Sequence, residues 1–126
     1  MSDNYDYNQQ MNIKYGHQEI IDVTQIVEAC TDKWFNQTLT KVNGSVARLG
    51  IVEGEYHWHK HDDDDEFFFV LSGTLFIDLE DKTLELNANQ GATISRGVMH
   101  RTRAPHKTVM LMIETAEIDP IGTDNE

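Results

Sequence analysis

Residues 57–73 read HWHKHDDDDEFFFVLSG, with His57, His59 and His61 at alternate positions, four aspartates, Glu66 and three phenylalanines. Successive side chains of a β-strand point to opposite faces. If His57–His61 is extended, its three imidazoles share one face and Trp58 and Lys60 take the other. Buried imidazoles need partners for their ring nitrogens, so such a row excludes an ordinary dry core. Either the face is wet or it surrounds something that binds imidazole. The run Asp62–Asp65 is too charged to bury and reads as the connecting turn. Glu66 then opens a second strand, with Phe68 and Val70 on its own face and Phe67, Phe69 and Leu71 on the other. With Glu66 facing the same interior as His59 and His61, a carboxylate and two imidazoles converge, and Phe68 and Val70 line the pocket below. That set is a first coordination shell for a divalent transition metal.

A fourth donor has to come from elsewhere in the chain, and His100 in SRGVMHRTRA is the best candidate. Gly97 ahead of it supplies a tight turn, and alternation sets His100 and Thr102 opposite Arg101 and Arg103. His57 lies one pleat further along, roughly 6 to 7 Å from the ligand positions by strand rise. Its imidazole suits proton transfer beside the metal, because its ordinary pKa lies near neutrality. Arg96, Arg101 and Arg103 have two readings. They keep the surface soluble, or they clamp a carboxylate or phosphate of a ligand, as guanidinium does bidentately. In the second reading Phe68, Val70, Arg96 and Arg101 contact the substrate.

The rest of the chain places this segment in an all-β domain. Its 126 residues suit one domain with a real core. From Trp34 onward, short runs rich in β-branched and aromatic residues are separated by turn pairs: Asn43-Gly44, Ser72-Gly73, Asp81-Lys82 and Gln90-Gly91. Asn-Gly between two such runs is a strong hairpin signal. Many short strands at this spacing predict a sandwich or barrel. One short helix precedes them: Asp22 is its N-cap, Gln25 follows at the capping-box position, and Val23, Ile26, Val27 and Cys30 recur at helical spacing. Residues 1–18 are polar and expected to be mobile or loosely docked, residues 19–116 form the domain, and the acidic tail 117–126 is expected to fray. Residues Pro105 and His106 read as a turn.

Charge and composition narrow the function. A formal net charge of −12 argues against nucleic acid, whose phosphates need a basic counter-surface. The single cysteine, Cys30, forms no intramolecular disulfide and reads as a packing residue. No signal-peptide pattern opens the chain, and no apolar run approaches the ~18 residues of a membrane span. The expectation is a soluble cytoplasmic protein with no membrane partner.

Taken together, His59-Lys60-His61, four residues, Glu66, six residues and Gly73 resemble the first cupin motif in its longer-loop form. Gly97-Val98-Met99-His100 resembles the core of the second. The chain departs from those motifs at turn positions, with Glu53, Asn89, Ser95 and Ala104 where the family has Gly, Gly, Pro and Asn. The resemblance is to small single-domain cupins and implies a double-stranded β-helix, a jelly-roll barrel, with a mononuclear metal held by His59, His61, Glu66 and His100. Iron, manganese, nickel, zinc and copper all suit such donors. It also implies a homodimer, in which a second subunit, or else the N-terminal segment and helix, covers the outward stripe Phe67, Phe69 and Leu71. Two functions follow: a metal-dependent enzyme on a small polar substrate (isomerase, lyase, decarboxylase or dioxygenase type), or a non-catalytic module that binds a small molecule or metal.

Overall fold

A computed structural model describes residues 7–123. Its elements are β1 (Asn8–Gln10), α1 (Val23–Ala29), β2 (Trp34–Val42), β3 (Ser45–Glu55), β4 (Glu66–Ser72), β5 (Thr74–Leu79), β6 (Thr83–Asn87), β7 (Gly91–Ile94) and β8 (His100–Thr115). The turn pairs sit where their chemistry requires. Asn43, at φ 53°, turns β2 into β3 with Val42 opposite Ser45. Asp81 and Lys82 turn β5 into β6, closed by Leu79 N–H donating to the Lys82 carbonyl at 2.7 Å.

The barrel is organised by β8. One of its edges pairs antiparallel with β3, from Ser45 opposite Thr115 to Glu55 opposite Arg103. The other edge pairs first with β5 (Leu79 opposite His100, Phe76 opposite Arg103) and then with β4 (Ser72 opposite Val109, Phe67 opposite Ile113). One strand thus joins both layers, and the chain winds about a single axis as a double-stranded β-helix. The turn expected at Pro105 and His106 lies inside β8. The pairing jumps from Val52 opposite Thr108 to Gly54 opposite Ala104, so Pro105, His106 and Lys107 bulge outward and are exposed. A bulge tolerates proline because no ladder hydrogen bond is asked of it.

Alternation along β3 serves two cores. Val52 points into the barrel with Trp34, Phe68, Val70, Leu75, Ile77, Met110 and Met112. Leu49 and Ile51 point outward, join Leu39 and Val109, and are covered by Tyr15, Ile21, Val23, Ile26, Val27 and Cys30. No residue of the seven-residue helix is itself fully buried; Val23, Ile26 and Val27 dock it by partial burial against this outer cluster. That helix is capped by Asp22, whose carboxylate accepts from Gln25 N–H at 3.2 Å. Leu71 and Leu111 join this outer cluster, whereas Phe67 and Phe69 remain half-buried and Ile113 is 40% exposed.

Both ends depart from the expectation of loose segments. Strand β1 pairs in parallel with β2, and Lys14 and Tyr15 N–H groups donate to the Thr38 and Leu39 carbonyls at 3.0 and 2.9 Å. Tyr7 stacks on Tyr56 with ring centroids 4.2 Å apart. At the other end Ile118 is buried, and Lys60 and Thr123 exchange a pair of backbone hydrogen bonds at 2.8 and 2.9 Å. Polar composition hid this, because the leader docks through amides, the backbone and the separated rings of Tyr7 and Tyr15 rather than through a periodic apolar stripe. The expectations for residues 1–6 and 124–126 lie outside the described residues.

Candidate metal centre

The histidine segment is less regular than a strand. Only His59 and Lys60 form bridges, His59 with His100 and Lys60 with Thr123. The slip in register at Gly54, whose φ is +113°, turns Tyr56 inward. Parity resets before His59, so His59 and His61 are buried while His57 is half-buried at the switch. The bridge fixes His59 beside His100: each backbone N–H donates to the other's carbonyl, at 2.9 and 2.8 Å. The Gly97 N–H donates to the His61 carbonyl at 2.8 Å and ties the two segments at a second point. Glu66 stands at the first position of β4, facing inward with Phe68 and Val70.

Backbone carbonyls set the rings. His59 Nδ1–H donates to the His57 carbonyl at 3.0 Å, and His100 Nδ1–H donates to the Val98 carbonyl at 2.9 Å. That fixes the tautomer and leaves each Nε2 with a free lone pair, the state a metal ligand needs. Nε2 of His61 and Nε2 of His100 each lie 3.4 Å from Glu66 Oε1. One donor atom from each of His59, His61, Glu66 and His100 falls within 4.8 Å of all the others, and all four residues are at most 7% exposed. Among the described residues, four buried side-chain polar atoms lack a hydrogen-bond partner: His61 Nε2, Glu66 Oε1, His100 Nε2 and Glu114 Oε1. Three of the four belong to this cluster. Leaving such groups unsatisfied costs ~1–3 kcal/mol each, and lone pairs turned toward one another are stabilised by a cation.

Electrostatics keeps the cluster in ligand form. Burial, reinforced by the neighbouring His100, pushes the His59 imidazole down to about 3, so it is neutral. Burial alone would raise the Glu66 carboxyl, but its neighbours His100, His61 and Glu114 hold it below the usual carboxylate range. Glu114 moves the opposite way, raised well above its ordinary value by burial and by the charge of Glu66.

The other expected site residues separate. Phe68 lines the cavity beside the cluster, its ring centroid 6.3 Å from that of His100, while Val70 is fully buried in the core beneath. The arginine clamp is not assembled. Arg96 is exposed and pairs with Asp65, whose carboxylate accepts from the Arg96 backbone at 2.9 Å. Arg101 and Arg103 alternate with His100 and Thr102 along β8 and therefore face outward, where both bind Asp78, at 3.0 and 2.8 Å. The arginine that lines the cavity is Arg48, 1% exposed, which pairs with Glu114 at 3.3 Å. Neither Arg48 nor Glu114 had been singled out. The available signal was a charge at inward parity in an apolar strand, Arg48 in SVARLGIV and Glu114 in TVMLMIE. His57 sits beside His59, ring centroids 5.0 Å apart, but its Nε2–H donates to the Ile121 carbonyl at 2.7 Å and its Nδ1 faces the Tyr7 hydroxyl at 3.4 Å.

Residues 49–115 match the Cupin_2 family, a cupin domain. The chain is a cupin. It is 40% identical over 97 residues to the uncharacterized protein YdbB of Bacillus subtilis (strain 168), covering 76% of this chain and 86% of that one. A cupin-2 domain containing protein from Shewanella frigidimarina NCIMB 400 superposes with a TM-score of 0.72 at 31% identity, over 76% of this chain and 94% of that one. Protein NMB1881 from Neisseria meningitidis shares the fold with a TM-score of 0.68 at 24% identity, over 77% and 99% of the two chains. The buried His-His-Glu-His cluster fits a metal-binding cupin. Among the described residues of this cupin, no helix is long and apolar enough to cross a membrane.

The cupin leaves a small cavity beside its cluster. The cavity beside His59 and Glu66 holds about 30 Å³ of water-accessible space, walled by Trp34, Tyr56, Phe68, Met110 and Pro120 among others; a water needs ~10–15 Å³. Residues 118–123 form a strap across it: Tyr56 Oη donates to the Pro120 carbonyl at 2.9 Å, His57 holds Ile121, and Gly122 lies against the His59 ring. Burial pushes the Tyr56 phenol far above its ordinary value, so its hydroxyl stays neutral and donates.

Proposed function

We propose that this cupin binds one divalent transition metal ion through His59, His61, Glu66 and His100 and is a metal-dependent enzyme acting on a small polar substrate. The observation that carries the reading is the convergence of three partnerless lone-pair atoms, His61 Nε2, His100 Nε2 and Glu66 Oε1, in a buried space. Three imidazoles with one carboxylate suit iron, nickel, copper or zinc, and the carboxylate also admits manganese. When bound, the ion supplies a Lewis acid able to polarise a carbonyl or stabilise an enolate, the chemistry of isomerases, lyases and decarboxylases, or a site for dioxygen if it is iron.

The chain's own residues do the rest. Trp34, Phe68, Met110 and Met112 keep bulk water from the cluster, and the cavity volume limits the bound molecule to a small one. Gln9 Nε2 donates to Tyr56 Oη at 3.0 Å, which places a neutral amide and a neutral hydroxyl at its wall. His57 reaches the cavity only when it releases Ile121, so proton transfer by His57 is coupled to movement of the strap. A homodimer and a cytoplasmic location belong to the same proposal, the first supported by half-buried Phe67 and Phe69 beside exposed Ile113. The small size of the cavity favours the second reading, a non-catalytic module that holds metal or a small ligand.

Metal analysis of untagged protein, followed by a turnover screen of hydroxy-acids, catechols, diketones and sugars with the metal found, tests both readings. Stoichiometric metal lost in His59→Ala, His61→Ala and His100→Ala supports the site, and turnover decides for the enzyme. Metal without turnover decides for the module. Unchanged metal affinity in all three variants rejects the site.

A further inference from the structure

We propose that the cavity beside the cluster is a subsite for a small carboxylate, received by a wall whose uncommitted hydrogens are N–H donors. The inference deepens the metal reading above and rests on it.

The wall is one hydrogen-bonded row. Arg48 Nη2 donates to Asn36 Oδ1, and Asn36 Nδ2 donates to Gln9 Oε1 at 3.4 Å. Gln9 Nε2 donates to Tyr56 Oη at 3.0 Å, and Tyr56 Oη donates to the Pro120 carbonyl at 2.9 Å. All five residues line the cavity. Strand pairing assembles the row: Gln9 stands opposite Asn36, and Asn36 opposite Gly50, which makes Arg48 its diagonal neighbour. The two ends set its direction. A guanidinium accepts no hydrogen bond and a backbone carbonyl donates none, so each amide and hydroxyl between them can face only one way.

That direction decides what the wall offers. Asn36 Nδ2 and Gln9 Nε2 each spend one hydrogen on the next residue and keep a second. Arg48 gives three of its five hydrogens to Thr38 Oγ1, Asn36 Oδ1 and Glu114 Oε2, and keeps two. Arg48 and Asn36 are 1% and 5% exposed. An amide oxygen bears a spare lone pair in a protein interior more readily than a buried N–H goes without an acceptor. The row therefore calls for acceptor oxygens.

Charge points the same way. Arg48 is matched by Glu114 at 3.3 Å, and Glu66 brings one negative charge to an ion that carries two positive ones. Even with both carboxyls counted as ionised, the balance is positive, and the facing wall of Trp34, Phe68 and Met110 adds no charge. An anion completes it. The volume of about 30 Å³ admits about two or three water-sized groups, the size of formate or acetate.

Zinc-loaded protein, its metal content measured first, is titrated with acetate and with acetamide, a neutral molecule of the same shape. Binding is read by heteronuclear NMR from the side-chain N–H signals of Gln9, Asn36 and Arg48. Acetate is expected to bind about tenfold or more tighter than acetamide and to move these signals rather than that of exposed Arg96. Gln9→Glu keeps the length of the side chain but puts a carboxylate without N–H into the row. It is expected to weaken acetate about tenfold or more at near wild-type zinc affinity and melting. Equal affinity for acetate and acetamide, acetate shifts confined to surface arginines, or wild-type acetate affinity in Gln9→Glu would each overturn the assignment; the first two need no variant to fold. Zinc bound without a preference for acetate refutes this inference alone, whereas absence of zinc binding by wild type overturns the metal reading and this inference with it.

Discussion

Replacing Gly122 by alanine tests whether the C-terminal strap is built onto the metal site or merely drapes it. Gly122 has φ +66°, and a Cβ there would stand 2.6 Å from His59 Cδ2 and 2.7 Å from the Lys60 carbonyl oxygen. Neither neighbour is free to yield. The His59 ring is pinned through Nδ1 to the His57 carbonyl, and the Lys60 carbonyl accepts from Thr123 N–H at 2.9 Å. Left-handed backbone adds ~1–2 kcal/mol for a residue with a Cβ. The overlap adds more, so the strap is expected to lift rather than absorb it.

Lifting forfeits four hydrogen bonds: Tyr56 to Pro120, His57 to Ile121, and the reciprocal Lys60–Thr123 pair. At ~0.5–1.5 kcal/mol net each, their sum of ~2–6 kcal/mol is the ceiling on the effect. Ile118, buried upstream of the lifted residues, keeps the base of the strap in place. The loss is therefore local, with loss of amide protection at Lys60 and Thr123 of ~30-fold or more and a small change in global melting. Hydrogen exchange read by mass spectrometry on peptides covering 57–61 and 117–123 measures it. Gly44→Ala is the control, because a Cβ there meets nothing within 4 Å. Wild-type protection of the strap in Gly122→Ala, or equal loosening in Gly44→Ala, would refute the reasoning.

A divalent metal at 100 times its Kd stabilises the fold by ~2.7 kcal/mol. At ~2.1 cal/mol/K of unfolding entropy per residue, over 126 residues, that raises Tm by ~10 °C; scanning calorimetry should show the rise in wild type and not in His100→Ala, and identical rises would count against the site. Asp78 is held at about 2, below its ordinary 3.8, by Arg103 and then by Thr83 and Arg101. Because its folded value is depressed, its contribution of ~2 kcal/mol is present above pH ~4 and lost as pH falls toward ~2; urea midpoints across that window should fall more steeply in wild type than in Asp78→Asn, and parallel slopes would refute it. Ile113→Glu, placing a charge on the half-covered stripe of Phe67 and Phe69, is expected to convert a dimer to monomer in light scattering, and a wild-type monomer at micromolar concentration would dispose of the dimer.

What the sequence revealed and what it hid follow from how far apart the interacting groups lie along the chain. The buried cluster was legible because His59, His61 and Glu66 lie in one turn-connected segment, where alternation and a run of four aspartates leave little freedom. His100 followed from the same parity argument on a second segment. Alternation failed where an irregularity intervened: the bulge at Gly54 turned Tyr56 inward and left His57 beside the cluster rather than in it. Assigning Arg96 and Arg101 to the ligand failed differently, since charge alone does not say which face a side chain takes, and the opposite parity of His100 already set Arg101 outward. Arg48 and Glu114 were harder still. They are 66 residues apart, and their meeting depends on the β3–β8 register, which no local pattern specifies. Yet each is a lone charge at inward parity within an apolar strand, and a buried charge persists only when paired. Two such charges of opposite sign in one small barrel therefore constrain the register: a slip of one residue between β3 and β8 would turn one of them outward and strand the other, while setting Leu49 or Ile51 against the wrong face. The Arg48–Glu114 ion pair thus selects the alignment that also brings His59, His61, Glu66 and His100 together.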